Sequence, residues 1–218
     1  MNTRFDPRLV LVTDRAMAGD RPFEDLVAAA VRGGTTAVQL REKALSDDDF
    51  LHLALRIKPV LARAGVPLLI NDRPGIAAAA GAAGVHLGQS DASVAEARRI
   101  LGPGAIVGLS VETPEQAEAA RDLDVDYLGV SPMFATPTKT DAGPPWGLDG
   151  LRELRRRSSR ILVAIGGIGA ANAADVLAAG ADGLAVVSAI CAAADPEAAA
   201  RALRDVIDRR ARAGEAGP

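Results

Sequence analysis

Two of the chain's lysines, Lys43 and Lys139, and two aspartates, Asp72 and Asp91, each fall just past a short apolar run. The lysines are informative because the sequence otherwise fills its basic positions with arginine. Of 25 basic residues only Lys43, Lys58 and Lys139 are lysine. A compact ammonium suits a point contact with phosphate, where a guanidinium is not equivalent. Arg41, two residues before Lys43, adds a planar fork for phosphate oxygens. Asp72 and Asp91 follow successive apolar runs. On neighbouring parallel strands, about 5 Å apart, their carboxylates could share one hard cation. Magnesium takes one or two carboxylates together with waters and substrate phosphate oxygens. The alternative is that each aspartate merely caps the helix that follows it. Arg41, Lys43 and Lys139 favour the metal, because a diphosphate needs both cationic side chains and a divalent ion. A second anion site is suggested by Ile165-Gly166-Gly167-Ile168-Gly169, expected to lead into a helix starting near Ala170. Backbone N–H groups at such a start bind phosphate, and Ser188 adds a hydroxyl.

Something must bring these scattered residues together. Eight apolar runs recur: Leu9–Thr13, Ala37–Leu40, Pro67–Ile70, Gly84–Leu87, Ala105–Leu109, Tyr127–Val130, Ile161–Ile165 and Leu184–Val187. Runs of four or five apolar residues fit strands buried on both faces of a parallel sheet. Amphipathic helical patterns fill the gaps. Phe23–Arg32 puts Phe23, Leu26, Val27, Ala30 and Val31 on one face and stops at Gly33-Gly34. Ser46 caps a helix opening on Asp47-Asp48-Asp49, expected to kink at Lys58-Pro59. Thr113-Pro114 and Asp195-Pro196 mark two further starts. Strict alternation of strand and helix over eight units predicts an α/β fold, a (β/α)8 TIM barrel in one domain spanning 1–218, with 213–218 frayed. An open doubly wound sheet is disfavoured, because Thr13-Asp14-Arg15-Ala16 follows the first strand where a G-x-G-x-x-G would be needed. In such a barrel the chemistry gathers at the C-terminal ends of the strands. The polar clusters fall there, whereas the other rim holds plain turns such as Ala64-Gly65 and Gly180-Ala181-Asp182.

Composition excludes several classes. The net charge of −3 provides no basic field for nucleic acid or an anionic membrane. A single cysteine, Cys191, rules out an internal disulfide and a cysteine-rich zinc site. No apolar stretch approaches the roughly 20 residues of a membrane span, and no secretory signal precedes Leu9. A reduced, cytoplasmic globular protein acting on small molecules is expected, and a homo-oligomer is left open.

In order along the chain, Gln39-Leu40-Arg41-Glu42-Lys43, Asn71-Asp72-Arg73, His86-Leu87-Gly88-Gln89-Ser90-Asp91, Gly108-Leu109-Ser110, Thr136-Pro137-Thr138-Lys139, Ile165-Gly166-Gly167-Ile168 and Val187-Ser188-Ala189-Ile190 resemble the thiamine-phosphate synthase family. The set spans nearly the whole chain. The resemblance implies a (β/α)8 barrel and a magnesium-assisted transferase. Hydroxymethylpyrimidine diphosphate would join the ring nitrogen of a thiazole phosphate, carboxylated or not, releasing pyrophosphate and thiamine phosphate. It places Gln39, Leu40, Arg41, Glu42, Lys43, Asn71, Ser110 and Lys139 on the pyrimidine diphosphate, with Arg41, Lys43, Ser110 and Lys139 as the catalytic set. Asp72 and Asp91 match the magnesium ligands. Thr136, Pro137, Thr138, Gly167, Val187 and Ser188 match the thiazole-phosphate positions. Two departures stand out: Ser131, where glycine is frequent, and Ser90, where an acid is frequent.

The reaction this implies is a dissociative substitution, which requires charge stabilisation of the leaving diphosphate rather than a strong base. Two rivals are a thiazole tautomerase on the same fold and a catalytically silent phosphate-binding regulator. Asp72, Asp91 and Lys139 together argue against both. His86 reads as a satisfied core histidine, His52 as a surface residue and Cys191 as buried and inert. Arg152 to Arg160 reads as a solvated helix face, and Asp14 as either a turn former or a site residue. The connection from Ser131 to Gly147 is long for its kind and is expected to order over bound substrates. Limited proteolysis should show that this segment becomes protected when both substrates are present; equal cleavage with and without them would oppose it.

Overall fold

The computed structural model describes residues 5–136 and 143–215. Strands β1 (Leu9–Val12), β2 (Ala37–Leu40), β3 (Leu68–Asn71), β4 (Gly84–Leu87), β5 (Ile106–Val111), β6 (Tyr127–Val130), β7 (Ile161–Ile165) and β8 (Gly183–Val186) pair in sequential order. All pairings are parallel, and β8 returns to β1 to close the barrel. Helices α1 (Phe23–Arg32), α2 (Asp47–Ala62), α3 (Pro74–Ala80), α4 (Val94–Leu101), α5 (Pro114–Ala119), α6 (Gly147–Arg157), α7 (Ala173–Ala178) and α9 (Pro196–Glu215) follow the successive strands. A short extra helix, α8 (Ser188–Cys191), intervenes between β8 and α9. Among the described residues no helix is long and apolar enough to cross a membrane.

The helix starts obey their sequence signals. Ser46 Oγ accepts from Asp49 N, and Thr113 Oγ1 accepts from Gln116 N. Asp195 Oδ1 accepts from Ala198 N, so each cap satisfies a donor that the first helical turn leaves without a partner. Helix α2 carries Pro59 inside its last turn and ends at Ala62. One expectation is corrected: the helix after the glycine turn begins at Ala173, not near Ala170. Lys58, the lysine outside the polar clusters, donates to the carbonyl of Ala80 at the end of α3, 2.9 Å away. A cation is favourable there because helix carbonyls end without partners.

Alternate residues of each strand face opposite ways. Leu11, Val38, Leu40, Ile70, Val85, Leu87, Leu128 and Val130 face outward and pack under the helices. Phe5, Val10, Val12, Leu69, Ile106, Tyr127, Val163 and Ala185 form a separate cluster inside the barrel. Above that floor the inward positions of β2 to β5 become polar: Gln39, Asn71, His86 and Ser110. Strands β3 and β5 reach further than the apolar runs suggest, so Asn71 and Ser110 are strand residues with side chains fixed by the pleat.

The opposite rim is tied by arginines. Asp126, just before β6, accepts from Val107 N of β5 and from Arg98 of α4, at 2.7 and 2.9 Å. Asp182, just before β8, repeats the device with Leu162 N of β7 and Arg155 of α6, at 2.8 and 2.9 Å. Each carboxylate thus bonds a backbone donor of the preceding strand and the guanidinium of an outer helix. Arg160 bonds the carbonyls of Arg121, Leu123 and Val125 below α5. Arg98 keeps the Asp124 carboxylate and the Ala105 carbonyl, at 3.0 and 2.6 Å, but Asp126→Ala leaves the Val107 N–H without its acceptor and removes one of the two carboxylates on Arg98, so it should lose about 2 kcal/mol in urea unfolding. An unchanged midpoint would contradict the strapping.

Candidate active site

The C-terminal ends of the strands surround a cavity of about 450 Å³. It is lined by Gln39, Arg41, Lys43, Asn71, Asp72, Asp91, Ser110, Thr136, Gly167, Val187 and Ser188, among others. These residues come from β2 to β8, so the fold converges what the sequence spreads over 150 positions. Leu40 and Glu42 depart from the expectation: their side chains do not line this space. Leu40 is wholly buried under the helices. Burial raises the carboxyl of Glu42, whose Oε1 has no hydrogen-bond partner among the described residues. Pro137, Thr138 and Lys139 lie outside the described residues.

One side of the cavity is polar. Gln39 Nε2 donates to Asn71 Oδ1 at 2.6 Å, and both side chains are buried. Arg41 and Lys43 stand at the end of β2, where the backbone N–H of Arg41 bonds Thr13 Oγ1. The facing side, built from Val12, Val163, Ile165, Ala185 and Val187, is apolar. An amphipathic aromatic ring with an attached phosphate could lie across such a boundary.

Asp72 has φ 66°. That left-handed backbone is uncommon outside glycine, asparagine and aspartate. It is held by a bond from Asp72 N to the His86 carbonyl at 2.8 Å, across the β3–β4 seam. Asp91 is held by the Gly88 N–H, which donates to Oδ2 at 2.6 Å. The Asp91 carboxyl stands close enough to Asp72 to raise it. Neither side chain caps the helix after it: the residue capping α3 is Arg73, and Ser93 Oγ caps α4. The capping alternative therefore fails for both.

At the opposite end of the cavity, Gly166 and Gly167 take φ 106° and 67° beside Pro132 and Phe134. A Cβ at Gly167 would lie 2.8 Å from Phe134 Cβ, so this turn admits only glycine. Asn172 clips it shut: its Nδ2 donates to the Gly167 carbonyl and its Oδ1 accepts from Gly169 N, both at 2.9 Å. The tightly held turn faces Ser188, the first residue of α8. A phosphate site after the seventh and eighth strands, beside a short extra helix, recurs in such barrels.

The family described as thiamine monophosphate synthase matches residues 9–190 of this sequence. The chain belongs to the thiamine monophosphate synthase family. It is 62% identical over 201 residues to the thiamine-phosphate synthase of Albidiferax ferrireducens, covering 92% of each chain. It is 49% identical over 208 residues to that of a Roseiflexus species, covering 94% of this chain and 88% of the relative. Among solved structures it superposes on the thiamine phosphate pyrophosphorylase of Pyrococcus furiosus with a TM-score of 0.87. Those two share 34% identity, over 95% of this chain and 98% of the other.

Other residues of this thiamine monophosphate synthase family member find their places. Asp14 caps the 3-10 turn at Arg15–Ala18, accepting from Ala16 N. Cys191 is buried, and burial pushes its thiol up to about 11. His52 is exposed, and Arg156 and Arg157 pair with Glu153 on the solvent face of α6, but the expected solvated face does not extend over Arg152 to Arg160: Arg155 turns to Asp182 and Arg160, beyond the helix, to the carbonyls of Arg121, Leu123 and Val125. His86 is satisfied, as expected, yet it also lines the cavity. Gln89, Glu112 and Gln116 line it too, and sequence reasoning passed over all three as active-site residues. Their signal was position alone: Gln89 and Glu112 on the loops after β4 and β5, and Gln116 in the first turn of α5.

Burial and the neighbouring Asp91 carboxyl lift Asp72 to about 6, against a smaller pull from Lys43 and Arg41. An acid raised on folding favours the folded state while protonated. Without metal, that contribution fades as pH rises between its ordinary 3.8 and about 6. Asp72→Asn keeps a residue that tolerates the left-handed backbone and removes the titration. Relative to the parent, this variant should gain stability in denaturant unfolding as the pH is raised from about 4 to about 8 without divalent ions. A pH-independent difference would oppose the raised carboxyl.

Proposed function

We propose that this chain condenses 4-amino-2-methyl-5-(diphosphooxymethyl)pyrimidine with a 4-methyl-5-(2-phosphoethyl)thiazole, forming thiamine phosphate and releasing pyrophosphate. The observation that carries this reading is one cavity with two anion-binding ends. A carboxylate pair beside Arg41 and Lys43 forms one end, and the Gly166-Gly167 turn with Ser188 forms the other. Two phosphorylated substrates meeting head to head would use both. The family and the thiamine-phosphate synthases that cover nearly the whole chain support the same reaction.

The residues fit a magnesium ion. Among the described residues no group of three or more histidine, cysteine or acidic side chains forms a closed metal cage. Two neighbouring hard carboxylates, each raised in cost by the other's charge, suit an ion completed by water and diphosphate oxygens. Asp72 and Asp91 would hold it, and when bound it would neutralise charge on the leaving diphosphate. Arg41 and Lys43 take diphosphate oxygens, joined by Lys139, whose assignment rests on the family pattern. Gln39, Asn71 and Ser110 orient the pyrimidine. Leu40 and Glu42 contribute through the strand end that carries Arg41 and Lys43. Thr136, Pro137, Thr138, Gly167, Val187 and Ser188 hold the thiazole phosphate so that its ring nitrogen faces the pyrimidine methylene. The C–O bond to diphosphate breaks with its electron pair leaving on oxygen. The thiazole nitrogen then supplies the pair for the new C–N bond. No strong base is needed; placement and charge stabilisation carry the rate.

Mixing both substrates with magnesium and the protein should yield thiamine phosphate and pyrophosphate in equal amounts. A tautomerase would make neither, and a silent binding protein would show affinity alone. Lys139→Ala and Asp72→Asn should each lower turnover about a hundredfold, the common cost of one preorganised charge partner. Near-parental rates in saturating magnesium would refute those roles.

A further inference from the structure

We infer that Tyr127 and His86 form a hydrogen-bond relay that fixes Ser110 as a donor toward the pyrimidine substrate, making both of them positioning residues. The inference rests on the proposed function for the identity of that substrate, but the relay itself rests on geometry. Tyr127 Oη lies 2.8 Å from His86 Nδ1, and His86 Nε2 lies 2.8 Å from Ser110 Oγ. The three side chains come from β6, β4 and β5 and run from the barrel floor up to the cavity wall.

The barrel is shaped around this chain of bonds. A Cβ at Gly108 would come within 2.2 Å of Tyr127 Cζ, and one at Gly129 within 2.8 Å of His86 Cε1. Two mid-strand glycines, unfavourable in strands for want of packing, thus clear the room for two rings. Phe5 stacks on Tyr127 from below, with ring centroids 4.7 Å apart. Tyr127 is 2% exposed and His86 8%, so neither hydroxyl nor imidazole can turn to bulk water.

Hydrogen-bond accounting sets the direction. A buried phenol must place its O–H on an acceptor. Among the described residues the acceptor within reach of Tyr127 Oη is His86 Nδ1. Nδ1 is therefore bare and the imidazole is the Nε2–H tautomer. An imidazolium, or the Nδ1–H tautomer, would leave the phenol hydrogen without a partner. Nε2–H then donates to Ser110 Oγ. With that lone pair occupied, the Ser110 hydrogen is turned to the cavity, where it meets an acceptor of the substrate. The reverse tautomer would consume the Ser110 hydrogen on His86 and present the cavity with an acceptor only. The backbone also braces Ser110: Gln89 Nε2 donates to its carbonyl at 2.5 Å.

The chain has two histidines, His86 and the exposed His52, so 15N NMR of histidine-labelled protein resolves the tautomer directly, with His52→Gln supplying the assignment. The expected spectrum has His86 protonated at Nε2 and bare at Nδ1. Tyr127→Phe should move population toward Nδ1–H. It should also raise KM for the pyrimidine diphosphate about fivefold, the worth of one hydrogen bond, while KM for the thiazole phosphate is unchanged. In Ser110→Ala the same Tyr127→Phe change should add nothing further to KM, since the coupling has lost its end point. An Nδ1–H or doubly protonated His86 in the parent protein overturns the relay, as does an additive double variant. The parent spectrum decides even if Tyr127→Phe does not fold. A parent that forms no thiamine phosphate overturns the proposed function instead, and the spectrum still judges the relay.

Discussion

Closing a parallel sheet on itself removes choice from half of its residues. Every second side chain of every strand must face the axis, because a one-residue slip would turn the whole apolar set the wrong way. Here that constraint sorts the interior by height. At the floor, Phe5, Val10, Leu69, Ile106 and Val163 fill space as any core does. One layer higher, on β2 to β5, the same geometry holds Gln39, Asn71, His86 and Ser110 against one another. Gln39 is bonded to Asn71, and His86 to Ser110, before any ligand arrives. The Gln39–Asn71 and His86–Ser110 contacts are strand-to-strand bonds, so the sheet that holds the fold together also fixes the site.

This arrangement divides labour across the cavity. Groups on strands are rigid and mutually satisfied. Charged groups sit just past the strand ends, where Asp72 and Asp91 repel in the absence of a cation and Arg41 and Lys43 stand nearby. The left-handed backbone of Asp72 is a local cost of the kind that functional sites retain. A bond from its N–H into the β4 ladder offsets it.

The sequence was most legible where a physical rule had no competitor. Apolar runs of four residues between capped helices can close only a few ways, and β2, β4, β6 and β7 begin and end where the apolar runs do. Site residues just beyond the runs were legible because polar side chains there have no packing role. Asn71 and Ser110 also stood out, although they lie inside strands, because they belong to short polar motifs at the run ends. The relay was less visible. His86 and Tyr127 each sit alone in an apolar run, where the ordinary expectation is a satisfied core residue. Satisfaction is what the structure shows, but the partner of His86 is a cavity residue, which spacing along one strand cannot reveal. Gly108 and Gly129 were equally mute, since the rings they make room for come from other strands. The late start of α7 was missed because Asn172 ties the glycine turn from five residues away.

The arginine straps beneath the barrel have a consequence for how this molecule can change. Arg98 with Asp126, and Arg155 with Asp182, knit strand to helix at the end remote from the cavity. Anchorage and chemistry are thus kept at opposite poles. The upper connections can be recut, lengthened or retuned toward new ligands without loosening the foundation on which they stand.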